Sequence, residues 1–312
     1  LSADTYDIVI ALGTRDRPQM LKKTLQSFQG LQLPDNSRVC LLVVDNNENR
    51  SAEAIFQQVA SILSIDSIYV CEPERGIIAM RNRAVEEAIN LQAQYMAFID
   101  DDEEVFDQWL VIMFEALLQY HADVAVAGVN RVLPADTPQW VIKGRYFERP
   151  HFPTGTPRTA ASTSNVLFKL KICKEWGLRF HPALRWCGSS DTFLFNQAYE
   201  KGAKIIWVKE GAIQEEIPES RANLSWILKR SFRHASAKVA RMRLKHGYLK
   251  AFGMESLYGL SQLFWGIVEL PGVFIWGKVG WVNALRKIYK FAGAFAGLAG
   301  YKYPEYKKTH GH

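Results

Sequence analysis

Five consecutive carboxylates, Asp100-Asp101-Asp102-Glu103-Glu104, end the apolar run Met96-Ala97-Phe98-Ile99. Acids this close repel one another, and a buried strand end cannot hold them unpaired. A divalent cation answers that need, because Mg2+ and Mn2+ take hard oxygen ligands and share them with substrate phosphates. A solvated acidic turn ahead of a helix accounts for the same residues taken alone, since helix N-termini favour acids. What separates the two readings is where the rest of the chain places this stretch.

The elements around it alternate. Tyr6 to Leu12, Val39 to Val44, Ser67 to Cys71 and Tyr95 to Ile99 are continuous apolar runs of strand length. Between them, apolar residues recur at helical spacing: Met20, Leu21, Leu25 and Phe28, then Ala52, Ile55, Phe56 and Val59, then a segment from Arg75 to about Leu91. Pro18 suits the first turn of the first helix. Continuously apolar strands alternating with helices predict a mostly parallel sheet covered on both faces. Ligands of such sheets bind beyond the carboxyl ends of the strands. Thr14-Arg15-Asp16, Asp45-Asn46 and Asp100 to Asp102 stand at three such ends, which favours a functional acidic cluster. The glycine fingerprint of dinucleotide sites is absent after the first strand.

Further on, Asp107 to Tyr120 predicts a helix and Val124 to Val129 a strand. Residues 131 to 163 read as a long loop, Thr163 to Phe168 as a return strand, and Lys204 to Val208 as another strand. Trp226 to His234 forms a basic amphipathic helix with Arg230 and Arg233 on one face. Ser189-Ser190-Asp191 before Phe193, Leu194 and Phe195 has the make-up of a helix cap.

Hydrophobic residues make up 48% of the 312 and aromatics 12%, which argues against disorder. Four cysteines (Cys40, Cys71, Cys173, Cys187) form no CxxC pair, so neither a zinc knuckle nor a disulfide framework is expected. Cys40 and Cys71 fit reduced core positions. The polar start enters a strand directly without a signal-peptide pattern, and a cytosolic face is expected. The net charge of +6 is concentrated late: from Arg221 onward, sixteen Lys/Arg face three acids. Basic residues among many Trp, Phe and Gly point to an anionic membrane surface or anionic ligand, and no nucleic-acid motif accompanies them. Between Ser256 and Gly277 the only charge is Glu269, and Pro271 interrupts the run. That favours amphipathic helices in a membrane interface over a straight span of about 20 residues. Trp265, Trp276 and Trp281 would then sit at headgroup level, with Arg286, Lys287 and Lys290 on anionic lipid. A helical subdomain packed on the catalytic part is the alternative.

Four motifs in order carry a family resemblance: Gly13-Thr14-Arg15-Asp16-Arg17, Val43-Val44-Asp45-Asn46, Arg75-Gly76 with Ala79-Met80-Arg81-Asn82, and Phe98-Ile99-Asp100-Asp101-Asp102-Glu103. Together they resemble family 2 glycosyltransferases of the GT-A fold, most of all the bacterial succinoglycan type that adds sugars to lipid-linked exopolysaccharide units. The resemblance implies an α/β fold, with a GT-A catalytic domain over residues 1–220. A basic, aromatic-rich helical region over 221–312 would associate with the membrane.

It also implies roles. Asp45 would hold the nucleobase, with Thr14, Arg15 and Asp16 packed at base and ribose. Arg81 would contact the nucleotide, with Arg75 as a helper, while Arg83 stays on the solvated face. Asp102 would ligate the metal, Asp100 the metal or ribose, and Asp101 would orient the donor sugar. Glu103 and Glu104 would serve the following helix. Asp191 would be the general base, although Ser190 replaces the first acid of the family's usual Glu-Asp pair. Where many relatives have a metal-binding His, this chain has Gln214-Glu215-Glu216, leaving Glu216 as the candidate. Arg230 and Arg233 would clamp a phosphate of donor or acceptor, with His234 a packing residue.

The implied enzyme is an inverting, Mn2+- or Mg2+-dependent hexosyltransferase. It would move sugar from a nucleotide donor, UDP-linked, to a polyprenyl-diphosphate-linked saccharide at the cytoplasmic face of the cell membrane, as a peripheral protein. A nucleotidyltransferase is the rival enzyme class, but Leu12-Gly13-Thr14-Arg15-Asp16 is no triphosphate loop. A non-catalytic peripheral membrane binding protein is the other rival. The acidic triplet and Asp191 speak against it.

Overall fold

A computed structural model describes residues 5–185, 188–301 and 303. Cys187 lies outside them. Strands β1 (Ile8–Thr14), β2 (Val39–Asp45), β3 (Asp66–Cys71) and β4 (Tyr95–Asp100) run parallel in the order β3-β2-β1-β4. Helices α1 (Pro18–Gln26), α2 (Glu53–Ala60) and α3 (Ile77–Asn90) connect them. Ile8, Ile10 and Leu12 of β1 pack on one face of the sheet, and Val9 and Ala11 on the other. Burial on both faces is why β1, β2 and β4 lack alternation; β3, at the sheet edge, is only partly buried. Each fully buried aliphatic side chain contributes roughly 1.5–3 kcal/mol.

After β4 come β5 (Glu103–Glu104), α4 (Trp109–Gln119), β6 (Val124–Val132), α5 (Gln139–Lys143), β7 (Pro157–Arg158), β8 (Asn165–Lys169), α6 (Lys171–Lys174), α7 (Ser190–Glu200) and β9 (Ile205–Glu216). They extend the sheet to β3-β2-β1-β4-β8-β6-β9-β5, with β7 on β9. The return strand β8 is antiparallel to β4 and β6, while β6 and β9 are parallel. The pairing of β6 with β9 shifts register between Ala127 and Val129. Asn165 bridges this region: its Nδ2 donates to the carbonyls of Gly128 at 2.9 Å and Gly211 at 2.8 Å, and its Oδ1 accepts from Trp109 Nε1 at 3.0 Å. A buried amide with three partners ties β8 to β6, β9 and α4.

Two expectations need correction. Glu103 and Glu104 do not open the following helix; they form β5 and pair with Glu215 and Gln214 of β9. The acids continue as extended chain because β9 offers a free edge there. The stretch 131–163, read as a loop, contains the short helix α5 and strand β7.

The chain closes with α8 (Leu224–His246), α9 (Tyr248–Val268) and α10 (Val273–Leu298). Asn223 caps α8 by accepting from the Trp226 amide at 3.0 Å. Ile227 of α8 and Val282 of α10 share a buried cluster with Val141, Tyr146, Phe147 and Ile217, so these helices pack on the sheet domain. The tip of the α9–α10 hairpin is different. Phe264, Trp265, Phe274, Ile275 and Trp276 are exposed, Phe274 by 90%. Among the described residues no single helix is long and apolar enough to cross a membrane; α9 and α10 together, bent by 41° at their break, pass that test by length and composition.

Candidate active site

Parallel register sets the expected strand ends side by side: Thr14 opposite Asp45, and Gly13 opposite Asp100. At the β1/β2 end, Asp45 is fully buried. Its Oδ2 accepts from the Ala52 amide at 2.9 Å and the Tyr69 hydroxyl at 2.7 Å. Oδ1 is buried without a hydrogen bond of standard geometry. Burial pushes the carboxyl above its usual range. A base reaching Asp45 has to displace one of its neighbours. Asn46 organises the next loop, donating to the carbonyls of Glu72 and Glu74, each at 2.8 Å, and accepting from the Gly76 amide at 2.7 Å. Arg15 donates to the Asn46 carbonyl, and Asn47 to Asp16, which sits at positive φ. Arg75 is exposed just before α3, and its carbonyl accepts from Arg185.

The acidic stretch splits by direction. Asp100 and Asp102 line a cavity of about 630 Å3. Asp101 turns inward with no exposed surface and lies outside that lining. Its Oδ2 accepts from Thr14 Oγ1 at 2.7 Å, its Oδ1 accepts from Arg17, and its carbonyl accepts from Thr24 Oγ1 at 2.9 Å. Both the sugar-orienting role expected of Asp101 and the base-packing role expected of Thr14 therefore meet a structural pairing instead. Successive side chains of an extended segment point opposite ways, so Asp100 and Asp102 share a side and Asp101 does not.

Asp102 faces Arg17 at 3.3 Å and Arg221 at 3.6 Å. Arg81, on the first turns of α3, approaches Asp100 at 3.9 Å and donates to Ser190 Oγ at 3.1 Å. Burial, with Asp102 adding repulsion against the pull of Arg81, raises the Asp100 carboxyl to about 6. Glu103 also lines the cavity and accepts from the Asp100 amide at 2.7 Å; burial and the neighbouring acids hold it well above the carboxylate range.

Glu216 points away, to a surface pair with Lys23 at 2.6 Å that also includes Glu104. Strand alternation explains the miss: Ile213, Glu215 and Ile217 face inward, Gln214 and Glu216 outward. Glu215 lines the cavity, paired with Arg131 at 2.8 Å and Arg221 at 3.2 Å. The alternating Ile-x-Glu-x-Ile pattern was the available signal.

Across the cavity lining, ten basic side chains face five acids among the described residues. Asp191 is one of those acids. Gly188 and Ser189 adopt left-handed backbone, and α7 begins directly after them. The cap position is therefore Ser189, and Asp191 stands in the first turn facing the cavity. Its Oδ2 accepts from Ser162 Oγ at 3.0 Å and its Oδ1 from the Thr192 amide at 2.7 Å. Arg230 and Arg233 of α8 line the cavity with Arg149, Arg241 and Lys290. Arg149 and Arg241 had no sequence signal, because their segments carry no motif, and Lys290 was expected on anionic lipid rather than in this cavity.

No group of three or more His, Cys, Asp or Glu side chains converges on a metal position among the described residues. The protein donors are two hard carboxylates, Asp100 and Asp102. Such a pair fits a divalent cation that takes its other ligands from phosphate and water.

The glycosyl transferase family 2 domain matches residues 8–177. The chain belongs to that family. It is a glycosyltransferase with a GT-A fold. It is 30% identical over 265 residues to the succinoglycan biosynthesis protein ExoM of Rhizobium meliloti (strain 1021), covering 85% of this chain and 80% of that protein. The fold is shared with the mannosyltransferase PcManGT of Pyrobaculum calidifontis, solved with GDP-Man and Mn2+, at 14% identity and a TM-score of 0.65 over 96% of this chain and 89% of that one. It is also shared with S. aureus TarS 1-349 in complex with UDP-GlcNAc, at 13% identity and a TM-score of 0.53 over 94% and 92%.

Proposed function

We propose that this family 2 glycosyltransferase moves a hexose, with inversion, from a UDP-linked donor to a saccharide on a polyprenyl-diphosphate carrier. The observation that carries the reading is one cationic cavity holding both the Asp100/Asp102 pair and Asp191. Asp191 takes the proton of an acceptor hydroxyl, whose oxygen attacks the anomeric carbon. The bond from that carbon to the UDP oxygen breaks, and one displacement inverts the centre. Ser162 fixes the Asp191 carboxylate through the 3.0 Å hydrogen bond. Arg81 and Arg221 lie beside Asp100 and Asp102, where the donor diphosphate would rest. A divalent cation held by Asp100 and Asp102 would neutralise charge on the departing nucleotide. Asp45, whose Oδ1 has no hydrogen bond of standard geometry beyond the nearby Asn47 amide, is the acceptor proposed for a base N–H.

The similarity to a succinoglycan biosynthesis protein supports a polysaccharide acceptor. The exposed aromatic tip of α9–α10 supports work at the cytoplasmic membrane face, as a peripheral protein. Calorimetry with UDP, GDP and dTDP, with and without Mn2+, tests the donor: metal-dependent UDP binding is expected, and its absence would overturn the reading. Flotation with liposomes tests the membrane arm: the chain is expected to float with them, and recovery wholly in the soluble fraction would remove it.

A further inference from the structure

A side pocket of about 230 Å3 adjoins the main cavity and shares Trp226, Arg230, His234 and Lys290 with it. Tyr146 and Glu148, after α5, and Arg286 of α10 complete its wall. Arg286 is held without any acid: its Nε donates to Ser231 Oγ and its Nη1 to Asn283 Oδ1, each at 3.4 Å, and its guanidinium lies 4.9 Å from the Tyr146 ring centre. Arg230 is steadied by His234 at 3.3 Å, the Tyr146 carbonyl at 3.5 Å and the Trp226 ring. Lys290 makes no hydrogen bond or ion pair among the described residues. The pocket's one carboxylate, Glu148, is exposed and already paired with Arg145 at 2.5 Å. Three cations thus border a small space with no free counter-charge. Burial and Arg286 lower the Lys290 ammonium, as repulsion demands. An anion in that space removes the repulsion.

The donor diphosphate does not account for it, because Asp100 and Asp102 do not line this pocket. Its position along α10 suggests another source. Arg286 and Lys290 share α10 with the exposed apolar residues Phe274, Ile275 and Trp276, so a membrane touching those residues brings lipid phosphates to the same helix. We propose that Arg230, Arg286 and Lys290 bind the phosphate of a lipid, either the diphosphate of a lipid-linked acceptor or a bilayer headgroup. The proposal rests on the membrane-facing reading of α9–α10.

The test titrates farnesyl diphosphate into the full chain already saturated with UDP and Mn2+. In parallel, flotation compares phosphatidylcholine vesicles with and without phosphatidylglycerol. Farnesyl diphosphate should bind alongside UDP. Arg286→Gln/Lys290→Gln should weaken it by about tenfold or more, as expected for two lost charge-assisted contacts. Arg286→Gln alone, at a residue that lines only the side pocket, should leave UDP affinity and the unfolding midpoint little changed, which reports an intact fold. Loss of only the phosphatidylglycerol-dependent flotation assigns the phosphate to the bilayer headgroup. A double variant that keeps both kinds of binding overturns the proposal. If UDP fails to bind the wild-type chain while farnesyl diphosphate still does, the donor reading falls and this site stands.

Discussion

On the cavity floor, Arg17, Arg81, Arg131 and Arg221 each face a carboxylate. On the wall built by α8, α10 and the segment after α5, Arg149, Arg241 and Lys290 make no ion pair among the described residues, and Arg230 is held only by neutral groups. The two regions share one solvent space and treat charge differently. The floor is balanced within the protein and has a shape before any ligand arrives. The wall stores repulsion: burial and its cationic neighbours pull Arg230 down to about 9 and His234 to about 3. The floor suits a metal–diphosphate group that exchanges partners with existing pairs. The wall suits anions that bring the missing charge with them.

Asp191 faces Arg149 and Arg241 electrostatically, so the largest effect is expected there. Asp191→Asn should cut transfer by roughly 10²–10⁴-fold with UDP affinity nearly unchanged. Steady-state rates beside calorimetry check this, and lost UDP binding would assign Asp191 to structure. On the floor, Asp101→Ala strips Arg17 and Thr14 of their buried partner and should cost about 3 kcal/mol in urea unfolding. A neutral result would break the claim that the floor is held by internal pairing. On the wall, the sign should reverse. Arg149→Gln should leave the ligand-free chain as stable or firmer by up to about 1 kcal/mol, with the gain shrinking as salt rises. A loss of stability at low salt would show that the wall is not repulsive.

The smallest effect is a pH dependence. His234 borders the cavity and keeps some exposure, and desolvation there with Arg230, Arg233, Arg149 and Lys290 holds it below its ordinary 6.5, at about 3, so it is neutral in the fold. Between those values the unfolded chain binds a proton that the fold refuses, so stability falls as pH drops below 6.5. Cavity water screens this, leaving on the order of 1 kcal/mol. His234→Gln keeps an acceptor for Arg230 and should flatten the loss, read as the difference in thermal midpoint between neutral and mildly acid buffer.

Much of the fold was legible because strands buried on both faces must be apolar throughout, and β1, β2 and β4 nearly are, while β3 lies half-buried at the sheet edge. The alternation also placed Asp100 at a strand end, where it borders the cavity. What escaped depended on which way single side chains point. Glu215 and Glu216 look alike in sequence, and only the pairing with β5 fixes which of them faces the cavity. Asp101 was expected on the donor sugar, and its inward pairing with Thr14 and Arg17, from a strand and a loop distant in sequence, leaves no local pattern. The wall cations come from three separate segments, and convergence of that kind leaves no local pattern.

Asp45 has no accessible surface and is closed over by its own neighbourhood. For a ligand that must touch it, the waiting time for an opening becomes part of the association rate. Such a ligand sees only the open fraction of molecules, and its apparent dissociation constant is the intrinsic one divided by that fraction. Stopped-flow association of a nucleotide would then level off at high concentration, at the rate of opening, however strongly the cavity's positive field draws the nucleotide in.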